Sequence, residues 1–575
     1  MARIRNIEIR NFRSIHTLDW TPSAGINCLI GPGDSGKSSI LDAIDLCLAP
    51  RRSAPFSDTD FFALDVTQSI TISLTLGALS DELINLEAYG DFLRGFDPVA
   101  RKVEDEPRAG IETVLTLRLT VVSDLEPSWT LYSDRAQQQG LERSLAWKDR
   151  ATLAPARIGS YANTNLTWTR GSVLNKLSEE RVNLGVELAR AAREARANFG
   201  TQAEAQFSDS LRIVNSTAAS LGVPVGASAQ ALLDAHSVSI GEGAIALHNE
   251  AGVPLRSLGT GSARLLIAGL QRAAAGAATI ALIDEVEYGL EPHRLMRLLH
   301  SLGSKESTMP LQVFMTTHSP VTVRELSGNQ VFVVRALPRF HQVLEVGTAD
   351  DVQSTVRADP EAFLAKSVIV CEGASEVGFC RGLDHYWAGL GHQSFFTIGG
   401  AYVNVGGGDP DKCYARGMAL LRLGYRVMVL VDADKLPTPD TVATFMDAGG
   451  AAVSWRPGRA LEDELFLSLD DGAIHALLQR AVDLAEAELV DSHIRSLSQG
   501  SKTLNSIWTE GLTEGYSAAT RTLLGLSSRK GKNNWFKSVS KFEGVAKDIV
   551  GPNLKTADPE FIAPVERLFA WTHVA

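Results

Sequence analysis

The sequence predicts an α/β protein built in two parts, and three observations predict it. A glycine-rich loop, Gly31-Pro32-Gly33-Asp34-Ser35-Gly36-Lys37-Ser38, lies between an apolar strand and a helical stretch. A second apolar strand, Thr279 to Ile283, ends in Asp284-Glu285. From Ser367 onward a fresh alternation of strands and helices begins, and its strands end in carboxylates.

The elements follow in order. Ile4, Ile7 and Ile9 fall in a short β-like stretch, and Gly25 to Ile30 reads as a buried strand. Helical periodicity runs from Lys37 through Ile40, Leu41, Ile44 and Leu48 until Pro50 stops it. Ile70 to Leu76 and Val114 to Val122 alternate as antiparallel strands do. Ser172 to Leu221 is polar and rich in Ala, Glu and Arg without sustained heptads, which predicts an inserted helical hairpin or bundle. Strands return at Ala278 to Ile283 and Leu311 to Met315, and the weakly patterned stretch 347–360 reads as a linker. Beyond it come a strand at Ser367 to Cys371, a helix from Glu376 and a strand at Val427 to Val431. The domains expected are 1–170 and 241–350 for one ATPase unit, 171–240 for a helical, dimer-forming insertion, and 361–575 for a second α/β domain with a basic C-terminal segment.

Composition narrows the function. The chain has 575 residues, 45% of them apolar and 21% charged, which suits several packed domains. No apolar run is long enough to span a bilayer and the N-terminus has no signal-peptide core, so a cytoplasmic protein is expected. Cys28, Cys47, Cys371, Cys380 and Cys413 form no CxxC pair, which predicts reduced thiols and argues against structural zinc. A net charge of −12 restricts any nucleic-acid contact to a local basic patch.

The glycine-rich loop matches GxxxxGK[ST] in full. Its glycines, Gly31, Gly33 and Gly36, let backbone N–H groups of the loop, including Asp34, Ser35 and Ser39, wrap a phosphate at a helix N-terminus. Lys37 then reaches the β- and γ-phosphates of ATP and Ser38 holds Mg²⁺. Asp284 adds a water-mediated Mg²⁺ contact, and Glu285 is placed to orient or deprotonate the attacking water. Leu258-Gly259-Thr260-Gly261-Ser262-Ala263-Arg264 resembles the signature loop of ABC ATPases, with Gly259 where serine is usual. Thr316-Thr317-His318-Ser319-Pro320 resembles their switch histidine, and Asn11-Phe12-Arg13-Ser14 the arginine-bearing turn of soluble, DNA-repair-type heads. The resemblance implies an ATP-sandwiching dimer of heads, with Arg13, Gly261 and His318 at the nucleotide and no membrane domain.

The second set of motifs is acidic. Val368 to Cys371 leads into Glu372-Gly373, and Glu376 lies one helical turn on. Val427 to Val431 leads into Asp432-Ala433-Asp434, which strand alternation would aim the same way. Leu461-Glu462-Asp463-Glu464-Leu465 follows. Carboxylates gathered at the C-terminal edge of a parallel sheet repel one another unless cations neutralise them, and oxygen ligands favour Mg²⁺ or Mn²⁺. Two ions about 4 Å apart suit phosphodiester hydrolysis. The ligand set read here is Glu372, Glu376, Asp432, Asp434 and Glu462, with Glu464 a rival to Glu462.

The order of EG at a strand end, DxD and a later acid resembles the Toprim domain of topoisomerases, primases and some nucleases. Gly399-Gly400 and Val405-Gly406-Gly407-Gly408 resemble the glycine turns of Toprim nucleases. Ser528 to Asp548 is locally basic, with Arg529, Lys530, Lys532, Lys537, Lys541 and Lys547 among Trp535, Phe536 and Phe542, a pattern suited to phosphates and bases. Trp535-Phe536-Lys537 resembles the place of an essential lysine in the related nucleases, which favours Lys537 over Lys541. An ABC-type head with a helical insertion followed by a Toprim-like domain resembles the OLD (overcoming lysogenisation defect) family of nucleases, in particular the class of the Gabija anti-phage nuclease. The resemblance implies metal-dependent DNA cleavage regulated by nucleotide, homodimers or larger assemblies, and a helicase as candidate partner.

Two other readings compete. An ATP-driven DNA clamp or sensor with a degenerate second domain fits Lys435, which stands where the DxD is usually followed by glycine. A topoisomerase needs a catalytic tyrosine in a cleavage domain, and none of the nine tyrosines sits in one. A primase commonly adds a zinc module, which these cysteines do not supply.

Overall fold

The computed structural model describes residues 2–50, 53–158, 166–167, 172, 174, 177, 185–221, 226–229, 231, 245–273, 280–306, 311–531 and 534–573. Much of the expected insertion, together with Thr279 and Lys532, lies outside them.

Among the described residues, thirteen strands form one mixed sheet. They are β1 (Arg3–Phe12), β2 (Ile15–Trp20), β3 (Ile26–Ile30), β4 (Ile70–Gly77), β5 (Leu93–Asp97), β6 (Lys102–Glu104), β7 (Glu112–Val121), β8 (Pro127–Tyr132), β9 (Ala156–Ile158), β10 (Ile280–Ile283), β11 (Gln312–Thr316), β12 (Val331–Leu337) and β13 (Phe340–Glu345). The order is β6-β5-β7-β4-β1-β2-β13-β12-β3-β11-β10-β9, with β8 on β7. Strands β12, β3, β11, β10 and β9 run parallel. The three central ones, INCLI, IALI and QVFMT, are buried at every position, as parallel strands covered on both faces require. The β1, β4 and β7 flank is antiparallel, with residues such as Glu8 and Arg10 turned away from the core.

A second sheet follows, with all four strands parallel: β14 (Ser367–Cys371), β15 (Gly400–Asn404), β16 (Arg426–Val431) and β17 (Ala451–Ser454), in the order β15-β14-β16-β17. The chain leaves β14 toward β15 and leaves β16 toward β17. The crevice between the carboxyl ends of β14 and β16 is therefore a topological switch point, where α/β sheets place their ligands.

One expectation changes. The stretch 347–360 is no linker: Asp350–Ala358 is a helix that buries Val352, Thr355 and Val356. One hydrophobic core runs beneath both sheets, from Ile283 and Val313 to Val368 and Val427. Arg335 on β12 ties them further, donating to the Leu423 carbonyl at 2.9 Å and lying 4.0 Å from the Tyr425 ring centroid. Within the expected insertion the described residues include one long helix, Gly185–Leu221, of 37 residues; the rest of the expected hairpin or bundle lies largely outside the described residues.

Candidate functional site

The nucleotide loop joins β3 to the helix Lys37–Leu48. Lys37 is buried, and its ammonium donates to the carbonyls of Gly31 (3.1 Å) and Pro32 (2.7 Å) and to Ser35 Oγ (3.3 Å). Burial lowers its pKa against the pull of Asp34 and Asp284. A buried ammonium held by neutral oxygens suits a phosphate. Gly33, Asp34 and Ser38 are exposed beside it, with Ser39 partly so.

Two adjacent strand ends, those of β10 and β11, supply the groups that face the loop. Asp284 Oδ1, after β10, accepts from Ser38 Oγ at 3.1 Å and from Thr316 Oγ1, at the end of β11, at 2.6 Å. The same Thr316 oxygen accepts from the backbone N–H of Glu285 at 2.8 Å, and Glu285 stands exposed with φ +46°. Ser38 and Asp284 thus meet where Mg²⁺ is expected. His318 is exposed, and its backbone N–H donates to Glu287 at 2.7 Å. Gly261 opens the helix Thr260–Ala273, and a Cβ there would lie 2.4 Å from the Gly289 carbonyl, so the glycine is needed for close packing. Arg13 is engaged by Asp42 (2.5 Å) and Asp60 (3.0 Å).

Sequence reasoning gave Arg264 no role. It is fully buried and forks to the carbonyls of Asp284 (2.8 Å), Glu285 (3.0 Å) and Tyr288 (2.7 Å). It joins the helix bearing Gly261 to the turn bearing Glu285, which makes it a positioning residue. Its signal in the sequence is an arginine between apolar residues at the start of a helix. Lysine lacks the planar fork, so Arg264→Lys is expected to slow ATP turnover at least about tenfold, equivalent to about 1.4 kcal/mol of barrier. Stability should fall by about 3 kcal/mol through the orphaned carbonyls. Phosphate release and thermal melting check both.

The acids converge at the second switch point. Glu372 follows β14 and accepts from the backbone N–H of Asp432 at 3.1 Å. Glu376 lies in the first turn of the helix Ala374–Gly389 and accepts from Gly373 N–H at 2.7 Å. Asp432, just after β16, accepts from Leu461 N–H at 2.9 Å, and Glu462 accepts from Ser375 Oγ at 3.2 Å. Gly406, Gly407 and Gly408 all take positive φ, and Gly407 N–H donates to the Glu372 carbonyl at 2.7 Å, which fixes that turn.

Burial raises all four carboxyls, most visibly Glu376, pushed up to about 8 by burial and then by Glu462. Asp432 is raised by burial first and then by Glu376, Glu462 and Glu372. Among the described residues none of the four has an ion-pair partner. An all-oxygen, mutually repelling set without ion pairs fits a hard divalent cation in its chemistry. In the side-chain arrangement observed, each acid is turned onto an N–H or hydroxyl, and among the described residues no three close around a common point.

The folded state binds protons that an unfolded chain releases near pH 4.5. The stability this cluster contributes is present below that pH and is lost as pH rises toward 8. In EDTA, melting temperature is expected to fall by a few degrees between pH 5 and 8. Glu376→Gln should flatten the fall, read by calorimetric melting across the pH series.

Several expected ligands stand differently. Strand β16 ends at Val431, so alternation does not extend to Asp434, which pairs with Arg529 at 3.2 Å. Glu464 is no rival to Glu462: Arg456 (2.7 Å) and Arg459 (2.8 Å) hold it, and their hydrogen bonds keep its carboxyl below the usual range although burial acts the other way. Glu372 precedes the helix, so the pair Glu372 and Glu376 meets across a turn and not along one helical face. Trp535, Phe536 and Phe542 are core residues, 0%, 1% and 0% exposed, so they offer no rings to bases. Lys537 is exposed, whereas Lys541 donates to the Leu484 carbonyl at 3.4 Å. The five cysteines are buried and unpaired.

Residues 26–324 match the family model described as "AAA domain, putative AbiEii toxin, Type IV TA system". The match spans just over half of the chain, and the chain belongs to that family; this part is an ATPase domain. A stretch of 45 residues is 49% identical to the DNA replication and repair protein RecF of Chlorobium luteolum, covering 8% of this chain and 12% of that protein. A stretch of 46 residues is 46% identical to the RecF of Nitrosococcus oceani, covering 8% and 13%. The chain thus spans about an eighth of the length of the curated relatives it matches. It is also similar to a solved SmcHead bound to the C-winged helix domain of ScpA, with TM-score 0.34 and 17% identity over 59% of this chain and 96% of that one. A structure of the recombination mediator protein RecF gives TM-score 0.31 and 11% identity over 60% and 98%. These structural likenesses are too loose to bear on function. No helix among the described residues is long and apolar enough to cross a membrane.

Proposed function

We propose that the chain is a nucleotide-regulated, metal-dependent DNA endonuclease in which the ATPase domain governs a carboxylate centre in the second domain. The observation that carries this reading is the set of four carboxylates without ion-pair partners among the described residues at the switch point between β14 and β16: Glu376 and Glu462, which are buried, and Glu372 and Asp432, which are half-buried. These residues would hold Mg²⁺ or Mn²⁺, which supplies an activated water and charge neutralisation at phosphorus. The Asp432 backbone N–H holds the Glu372 carboxylate across the crevice, and Ser375 orients Glu462. Lys537, exposed after the core pair Trp535-Phe536, is free to meet a phosphate. DNA as substrate accords with relatives named for DNA replication and repair. ATP with Mg²⁺ binds at Lys37, Ser38 and Asp284, and two heads close on it as a homodimer. Supercoiled plasmid with Mg²⁺ or Mn²⁺ against EDTA, with and without ATP, tests the proposal: metal-dependent nicked or linear product is expected, and the ATP lanes give the sign of regulation. Intact plasmid in every lane with ATP still turned over would favour an ATP-driven DNA clamp or sensor. That second reading draws on the observed turning of each acid onto a neighbouring donor.

A further inference from the structure

The acids near the switch point form two groups of different electrostatic character. Glu372, Glu376, Asp432 and Glu462 have no ion pair among the described residues. Asp434 and Asp463 share a guanidinium: Arg529 Nη1 lies 3.2 Å from Asp434 Oδ2 and Nη2 lies 2.9 Å from Asp463 Oδ2. Arg529 closes the C-terminus of the helix Ala518–Ser528. That helix is fixed closely against the acids, since a Cβ on Gly525 would lie 2.9 Å from Asp463 Oδ1 and 3.0 Å from Asp463 Cα. Asp463 is anchored at its other side by accepting from Ala460 N–H at 3.0 Å. The arginine is thus delivered by a packed helix end onto an immobilised carboxylate, and from there it reaches the second acid of the Asp432-Ala433-Asp434 run.

We infer that Arg529 is a built-in counter-cation that takes the place of a second metal ion at Asp434, so that the centre holds one divalent ion per chain and not two. The inference rests on the reading of the acid cluster as a metal centre and specifies its stoichiometry. The Arg529 guanidinium forks between two carboxylates and so competes with a cation for them. A divalent ion entering at Asp434 must displace it and leave a cation facing the incoming charge. Among the described residues no guanidinium or ammonium forms an ion pair with the other four acids. Arg529 acts through Asp434 and Asp463, and its role is positional.

Mn²⁺ titrated calorimetrically into the full-length, nucleotide-free chain tests this. The wild type is expected to take one ion per chain in the acid cluster, abolished by Asp432→Asn. Arg529→Gln is expected to take two, with the second lost again when Asp434→Asn is added. Should Arg529→Gln fail to fold by near-ultraviolet circular dichroism, Arg529→Gln with Asp463→Asn removes charge on both sides, and it is expected to take two ions as well. Two ions in the wild type, or one ion in both folded Arg529 variants, would overturn the inference while leaving the metal centre standing. No ion in any of these proteins would overturn the metal centre itself, and the inference with it.

Discussion

Lys37→Ala is expected to lower ATP turnover by about 10²–10³-fold, the range typical of removing one preorganised donor from a developing charge. The ammonium is buried and held by the carbonyls of Gly31 and Pro32 and by Ser35 Oγ, all neutral acceptors. Burial already lowers its pKa, so the protein holds a charge that it solvates incompletely and that a phosphate would complete. Removing it takes a desolvated cation from the loop, so melting temperature should hold or rise slightly while turnover falls. A fold-neutral loss of turnover separates a nucleotide role from a structural one. Phosphate release and binding of a fluorescent ATP analogue measure the two effects, and a variant with wild-type turnover would remove Lys37 from the nucleotide site.

Asp432→Asn is expected to abolish metal-dependent DNA cleavage, by on the order of 10³-fold or more, because a metal ligand supplies several kcal/mol of transition-state stabilisation. The substitution is close to isosteric. The amide oxygen still accepts from Leu461 N–H, and the backbone N–H of residue 432 still donates to Glu372. Removing one member of a repelling set should stabilise the metal-free protein. ATP turnover is expected to remain within about twofold, since Asp432 lies after a strand of the other sheet. A Tb³⁺ luminescence titration, which does not depend on cleavage, should show the accompanying loss of affinity.

The nucleotide loop was legible because its chemistry is local. Gly31 to Ser38 is contiguous, and the apolar runs at Ile26 to Ile30 and Ile280 to Ile283 could be little else than buried strands. The parallel second sheet was legible for the same reason, through Val368 to Cys371 and Val427 to Val431. What the sequence hid depends on contacts across long separations. Arg529 lies 95 positions from Asp434, and no periodicity links them. Glu464 resembles Glu462 in every local respect, two residues apart on one helix, yet only Glu464 faces Arg456 and Arg459. Trp535 and Phe536 read as an interleaved binding surface because lysines flank them, although both rings turn into the core. The helix Asp350–Ala358 was missed because its buried face has just three residues, Val352, Thr355 and Val356, too few to stand out as a period.

The most direct test of the central claim is a plasmid-nicking time course of the wild type beside Asp432→Asn, in Mn²⁺, Mg²⁺ and EDTA, with ATP turnover followed in the same tubes. The account predicts nicked or linear DNA in the wild-type metal lanes alone and equal ATP turnover for both proteins. Intact plasmid throughout, or cleavage by Asp432→Asn at the wild-type rate, would contradict it.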